Sequence, residues 1–202
     1  MKKLFPFYVF IVLVVCGTLC CFFPYPVVSK YTNITAGDVY NINNSHEGES
    51  EIYSPNAPVS VSNLNWFESV NTMFKTYQKT RVIDIQSGKT YFVYRNGGHN
   101  HADVEPIDVQ NTEIFKSLYN GTWSWARRPV WVELGEGNFI TASINGYPHG
   151  KGYVSENGMD GHTCIHFLLS KTHGTKRVDE THQEAVATAY SRRNEISKYI
   201  AT

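Results

Sequence analysis

The chain has 202 residues, enough for one ordinary domain and a leader segment. Its 18 basic and 18 acidic residues balance, and no run of lysines and arginines stands out. That excludes the electrostatic footprint of a nucleic-acid binder, while 14 % aromatic residues supply material for a sizeable core.

Lys2 and Lys3 precede an apolar run, Leu4 to Val28, that carries no charge. At about 1.5 Å per residue it exceeds a hydrocarbon core of about 30 Å. Residues 1–28 therefore read as a membrane anchor or as a signal segment cleaved near Val27–Ser29, with Pro6, Pro24 and Pro26 shortening the helix. The lysines stay cytoplasmic in either case, which leaves the C-terminal domain extracytoplasmic, membrane-tethered or secreted. Cys16, Cys20 and Cys21 fall in this segment as apolar filler. Residues 29–62, rich in Asn, Ser, Gly, Glu and Pro, read as a flexible polar linker.

Trp66, Phe67, Val70, Met73, Phe74 and Tyr77 fall at helical spacing and predict an amphipathic helix over about 63–78. Arg81 to Ile85 and Thr90 to Tyr94, separated by Ser87-Gly88, predict a β-hairpin. Asp108 is placed to cap a short helix carrying Ile114, Phe115, Leu118 and Tyr119, ending near Gly121. Val130–Leu134 and Phe139–Ile144 predict two more strands around Gly135 and Gly137. Glycine-rich residues 145–161 read as a loop, His162–Leu169 as a strand, and Asp179 opens a final helix. The expected fold is α+β, mainly β with flanking helices, over residues 63–202 with a core at about 80–202.

Cys164 is the one cysteine outside the apolar leader, so an exported domain cannot use it for an internal disulfide. Its sequence context is Gly161-His-Thr-Cys-Ile-His166, and His149-Gly150 lies upstream. On a strand His162, Cys164 and His166 share one face, and the loop over 145–161 can bring His149 across it. A histidine at about 3 Å would draw the thiol proton and raise the thiolate population, with backbone amides near 162–164 available to an oxyanion. A buried, inert cysteine is the plain alternative.

This spacing resembles the L,D-transpeptidase catalytic domain, whose signature is a His-Gly pair followed by Ser/Thr-His-Gly-Cys-Ile/Val-Arg. His149, Gly150, His162, Cys164 and Ile165 match it; Gly161, Thr163 and His166 depart from it. The resemblance implies a β-sandwich, Cys164 as nucleophile, His149 as general base and His162 as a residue shaping the site. It further implies peptidoglycan stem peptides as partners, no cofactor, and a substrate site near Gly150, Thr163 and His166. Arg127 and Arg128 are candidates to grip an anionic stem, one of them covering the role of the missing signature arginine. A second resemblance, to Gram-positive cell-wall proteins, some joined to peptidoglycan-binding modules, rests on His101-Ala-Asp-Val-Glu-Pro106, Trp123-Ser-Trp125, Asn145 to Gly150, Gly161 to Phe167 and Ser170 to Gly174. It implies a wall location and supplies no reaction.

Two alternatives stand beside this reading. His99, His101 and Asp103 offer zinc ligands that His149, His162 or His166 could complete, as in a zinc-dependent wall hydrolase, although no HExxH occurs. The other is a non-catalytic wall-binding module. Glu105 reads as a solvated loop charge, His173 and His182 as structural, and Trp123, Trp125 and Trp131 as residues of which strand alternation buries one face.

Overall fold

A computed structural model describes residues 58–200. The expected leader at 1–28 and the linker up to residue 57 lie outside the described residues. Among the described residues, no helix is long and apolar enough to cross a membrane.

In chain order the elements begin with strand β1 (Ser60–Ser62), a π-helical turn (Trp66–Val70) and a single α-turn, α1 (Asn71–Met73). Strands β2 (Lys79–Asp84), β3 (Thr90–Gly97) and β4 (Ala102–Pro106) precede helix α2 (Val109–Ser117). Then come β5 (Ser124–Glu133), β6 (Asn138–Gly146), β7 (Thr163–His166), helix α3 (Glu180–Ser191), a 3₁₀ turn (Arg193–Glu195) and α4 (Ser197–Ile200). The expected mostly-β architecture with helices is present.

The sheet closes. Its order is β6-β5-β2-β3-β4-β7, all antiparallel, and β7 pairs back onto β6 through Ser143↔His166 and Ile144↔Ile165. Six strands thus form one barrel with no free edge, where the family resemblance had implied two facing sheets. β1 adds in parallel to the other half of the same β6 edge, at Asn138–Ile140, so the sheet already begins inside the stretch read as linker.

Alternation decides what lies inside. Val82, Val93, Val104, Val132, Ala142, Ile144 and Ile165 belong to one buried cluster, capped by Trp66, Phe74, Phe115 and Phe167. A second cluster, Ile83, Trp131, Phe139, Ala189 and Ile196, joins the outer sheet face to α3 and the C-terminal turns. The helix expected at 63–78 is shorter. Trp66, Val70 and Phe74 are fully buried, but the segment turns extended at Phe74 and left-handed at Tyr77, whose amide bonds Arg95 O at 2.6 Å. Arg95, itself buried, donates to Asn71 O, Asn71 Oδ1, Gly97 O and Gly98 O and lies over the Trp66 ring, fastening this segment to the barrel.

Candidate active site

Cys164 and His166 point outward from β7, while Thr163 and Ile165 face the barrel interior. β4 lies alongside with Asp103 opposite Cys164 and Val104 opposite Thr163. The outer faces of β4 and β7 therefore carry Asp103, Glu105, Cys164 and His166 together, under the loop that follows β6 and the turn around residue 173.

The loop returns to β7 through one two-residue ladder: His149 N donates to His162 O at 2.8 Å and His162 N to His149 O at 2.9 Å. Glycines make this possible. Gly150 sits at φ +65°, where a Cβ would lie 2.5 Å from His162 Cε1, and Gly161 at φ +100°, where a Cβ would lie 2.7 Å from His149 O. The ladder lays the His149 ring over the sulfur, with Nε2 3.1 Å from Cys164 Sγ. His149 Nδ1 is 2.9 Å from Tyr147 O. A carbonyl only accepts, so Nδ1 carries the proton and Nε2 presents its lone pair to the thiol.

Cys164 is 3 % exposed. Burial and then the Asp103 carboxylate, 4.0 Å away, push its thiol well above the ordinary value. Burial chiefly holds His149 below the usual imidazole range. Both shifts favour a neutral thiol beside a neutral imidazole over the enriched thiolate expected from sequence. An unprotonated imidazole nitrogen nevertheless lies within hydrogen-bond reach of the thiol.

Asp103 Oδ1 gathers three imidazoles: His173 Nε2 at 3.0 Å, His101 Nε2 at 3.2 Å and His162 Nε2 at 3.7 Å. Burial alone would raise this carboxyl, but the contact with His101 and the charges of His101, His162 and His173 bring it below its ordinary value. His162 Nδ1 donates to Lys151 O (3.0 Å) and His101 Nδ1 to Lys171 O (2.6 Å). His173, read from sequence as structural, thus lies in this cluster; its occurrence in the Ser170–Gly174 string was the available signal.

Several expected site residues lie elsewhere or act otherwise. His166 is buried, stacked between His101 (4.3 Å) and His182 (3.7 Å), and burial drives its pKa far down, so it is a neutral packing group that grips no anion. Thr163 is buried with Oγ1 on Asn145 O (2.5 Å), a barrel-interior contact. Arg128 is committed to the buried Asp84 through Nε (2.8 Å) and an Nη (2.7 Å). Arg127 donates to Trp125 O and Asp179, and borders a surface groove of about 460 Å³ between β5 and α3. That groove does not contain Cys164; it reaches the pair only through Trp125, whose half-exposed ring stacks on Tyr147 and lies 5.1 Å from His149. His99 is exposed, packs edge-on to Phe67 and stands outside the ligand cluster. The His162 amide, bonded to His149 O, is not free for an oxyanion.

Glu105 is fully buried, which corrects its reading as a solvated charge. It accepts from Tyr153 N (2.7 Å), Val154 N (3.1 Å), Asn157 Nδ2 (3.4 Å) and Asn96 Nδ2. This carboxylate ties down the loop whose Lys151 carbonyl sets the tautomer of His162.

No family model, curated protein or solved structure matches the chain.

Proposed function

We propose that the chain is a cell-wall acyl-transfer enzyme of L,D-transpeptidase or L,D-carboxypeptidase type, with Cys164 as nucleophile and His149 as general base. The observation that carries this reading is the 3.1 Å contact between the Cys164 sulfur and a His149 nitrogen whose lone pair is aimed at it. Peptidoglycan stem peptides as substrate follow from the resemblance carried by His149-Gly150 and the segment around Cys164. The same reading places the domain outside the cytoplasm, tethered or exported by residues 1–28, with the membrane and the wall as its partners.

As Cys164 Sγ bonds to the carbonyl carbon of a stem amide, its proton passes to His149 Nε2. The Asp103 carboxylate favours the imidazolium that forms. Collapse breaks the C–N bond, and His149 returns the proton to the departing amine, leaving a thioester on Cys164. An amine then gives a cross-link, or water a shortened stem; His149 takes the proton of the incoming group and restores the thiol. Trp125, Tyr147 and Arg127 flank the approach to the pair.

The test uses the full-length, metal-free protein with muropeptides carrying tetrapeptide stems, read by mass spectrometry of protein and products. A covalent adduct on Cys164 is expected, absent in Cys164→Ala and formed about 10²–10⁴-fold more slowly in His149→Gln. Unchanged turnover by Cys164→Ala refutes the reading. Binding to sacculi with no product in any variant leaves a non-catalytic wall module.

A further inference from the structure

Cys164 Sγ and the ring nitrogens of His149, His162 and His173 all lie within 4.8 Å of one another. Around a tetrahedral zinc, with Zn–S about 2.3 Å and Zn–N about 2.0–2.1 Å, ligand atoms stand roughly 3.3–3.7 Å apart. Closing the cluster takes about an ångström, and His173, with its side chain 48 % exposed, is free to supply it.

Three features go beyond proximity. His149 and His162 each donate Nδ1–H to a backbone carbonyl, Tyr147 O at 2.9 Å and Lys151 O at 3.0 Å, which fixes the metal-ready tautomer with Nε2 bare. Such outer bonds are what ligating histidines make. His162 Nε2 is buried and has no hydrogen-bond partner; the same holds for His101 Nε2 in the 1 % exposed His101, alongside the same carboxylate. The Asp103 carboxylate, 3.0 Å from His173 Nε2, supplies negative charge without being needed as a ligand.

We infer that Cys164, His149, His162 and His173 form a one-thiolate, three-imidazole site for a borderline divalent ion of the zinc class. This differs from the set built on His99, His101 and Asp103 that the sequence suggests. Binding exchanges the Cys164 S–H proton, released to solvent, for an S–metal bond. With the thiolate and Asp103 together, the charge of the ion is neutralised. The binding rests on ligand geometry alone. Its consequence, that a bound ion silences the nucleophile and its base, rests on the acyl-transfer reading.

The experiment titrates chelator-stripped full-length protein with Co²⁺ as the probe and then displaces it with Zn²⁺. One equivalent should bind with a near-ultraviolet thiolate-to-cobalt band, absent in Cys164→Ser. His173→Ala, at a half-exposed position, should bind Zn²⁺ about a hundredfold more weakly or worse. Bound Zn²⁺ should protect Cys164 from iodoacetamide, with chelator restoring labelling. No band, or an affinity unchanged in His173→Ala, overturns the inference. If no band forms while the metal-free protein still acylates Cys164, the metal site falls and the acyl-transfer reading stands. The reverse result sinks that reading and keeps the site.

Discussion

Gly161→Ser restores the residue type of the L,D-transpeptidase signature at a position where this chain departs from it, and the geometry says the change is harmful. Gly161 sits at φ +100°, a region that costs a residue with a side chain about 1–3 kcal/mol. The new Cβ would stand 2.7 Å from His149 O, 3.0 Å from His149 C and 3.1 Å from His149 N. All three are backbone atoms, so relief requires moving the strand segment that presents His149. That movement strains the two His149–His162 ladder bonds, each with a net value of about 0.5–1.5 kcal/mol. The expected destabilisation is about 2–6 kcal/mol. At about 2–4 °C per kcal/mol for a domain of this size, Tm falls by roughly 4–24 °C. Thermal and urea denaturation measure the loss. Iodoacetamide labelling of Cys164 reads whether His149 has left the sulfur, and should report altered reactivity even well below Tm. Gly174→Ser is the control: no atom lies within 4 Å of its would-be Cβ and its φ is not positive, so its effect should stay within about 0.5 kcal/mol. A Gly161→Ser protein with the stability and thiol reactivity of the parent would refute the claim that this backbone holds the pair together.

Two further outcomes test the frame and its buried charges. Asp84 is fully buried, receives both guanidinium contacts of Arg128 and accepts from Ser87 N (2.8 Å) and Ser87 Oγ (2.6 Å); Asp84→Ala should therefore cost about 3–5 kcal/mol in urea unfolding, and a loss under about 1 kcal/mol would show that Arg128 is not held for structure. His182 stacks on His166 with Nδ1 2.8 Å from Ser143 Oγ, and burial first, then Arg127, lowers its pKa to about 3 against a partial opposing pull from Asp179. A depressed folded pKa means that its stabilising contribution is complete above about pH 6.5 and is lost as pH falls from there toward 3, by up to about 1.4 kcal/mol per pH unit. Denaturation midpoints between pH 7.5 and 4.5 should show that slope reduced by one proton in His182→Gln, and an unchanged slope would place the acid sensitivity elsewhere.

Local periodicity made part of this fold legible. Tyr91 and Val93 alternate with partly exposed neighbours beyond a glycine turn, and the hairpin of β2 and β3 follows. Asp108 and Asp179 both cap helices as expected, accepting from Asn111 N and His182 N. The thiol, His149 and His162 were also within reach, because a glycine-rich loop before a strand brings its first residues back over that strand. Partnerships set by distant pairing were not. No strand was expected at Ala102–Pro106, where Glu105 read as a solvated loop charge. Register instead lays Asp103 against Cys164, while four donors from Asn96 and residues 153–157 cover Glu105. A carboxylate that looks solvated in sequence thus becomes the anchor of the loop over Cys164. The same closure explains the thiol. A sulfur beside histidines suggests a thiolate, but it sits on the outer face of a closed barrel beneath a loop and next to an ionised Asp103, and both burial and that charge keep the proton on sulfur. On the proposed acyl-transfer reading, activation comes from what arrives, a carbonyl carbon that accepts the electron pair as His149 takes the proton; on the proposed metal reading, a cation replaces the proton outright.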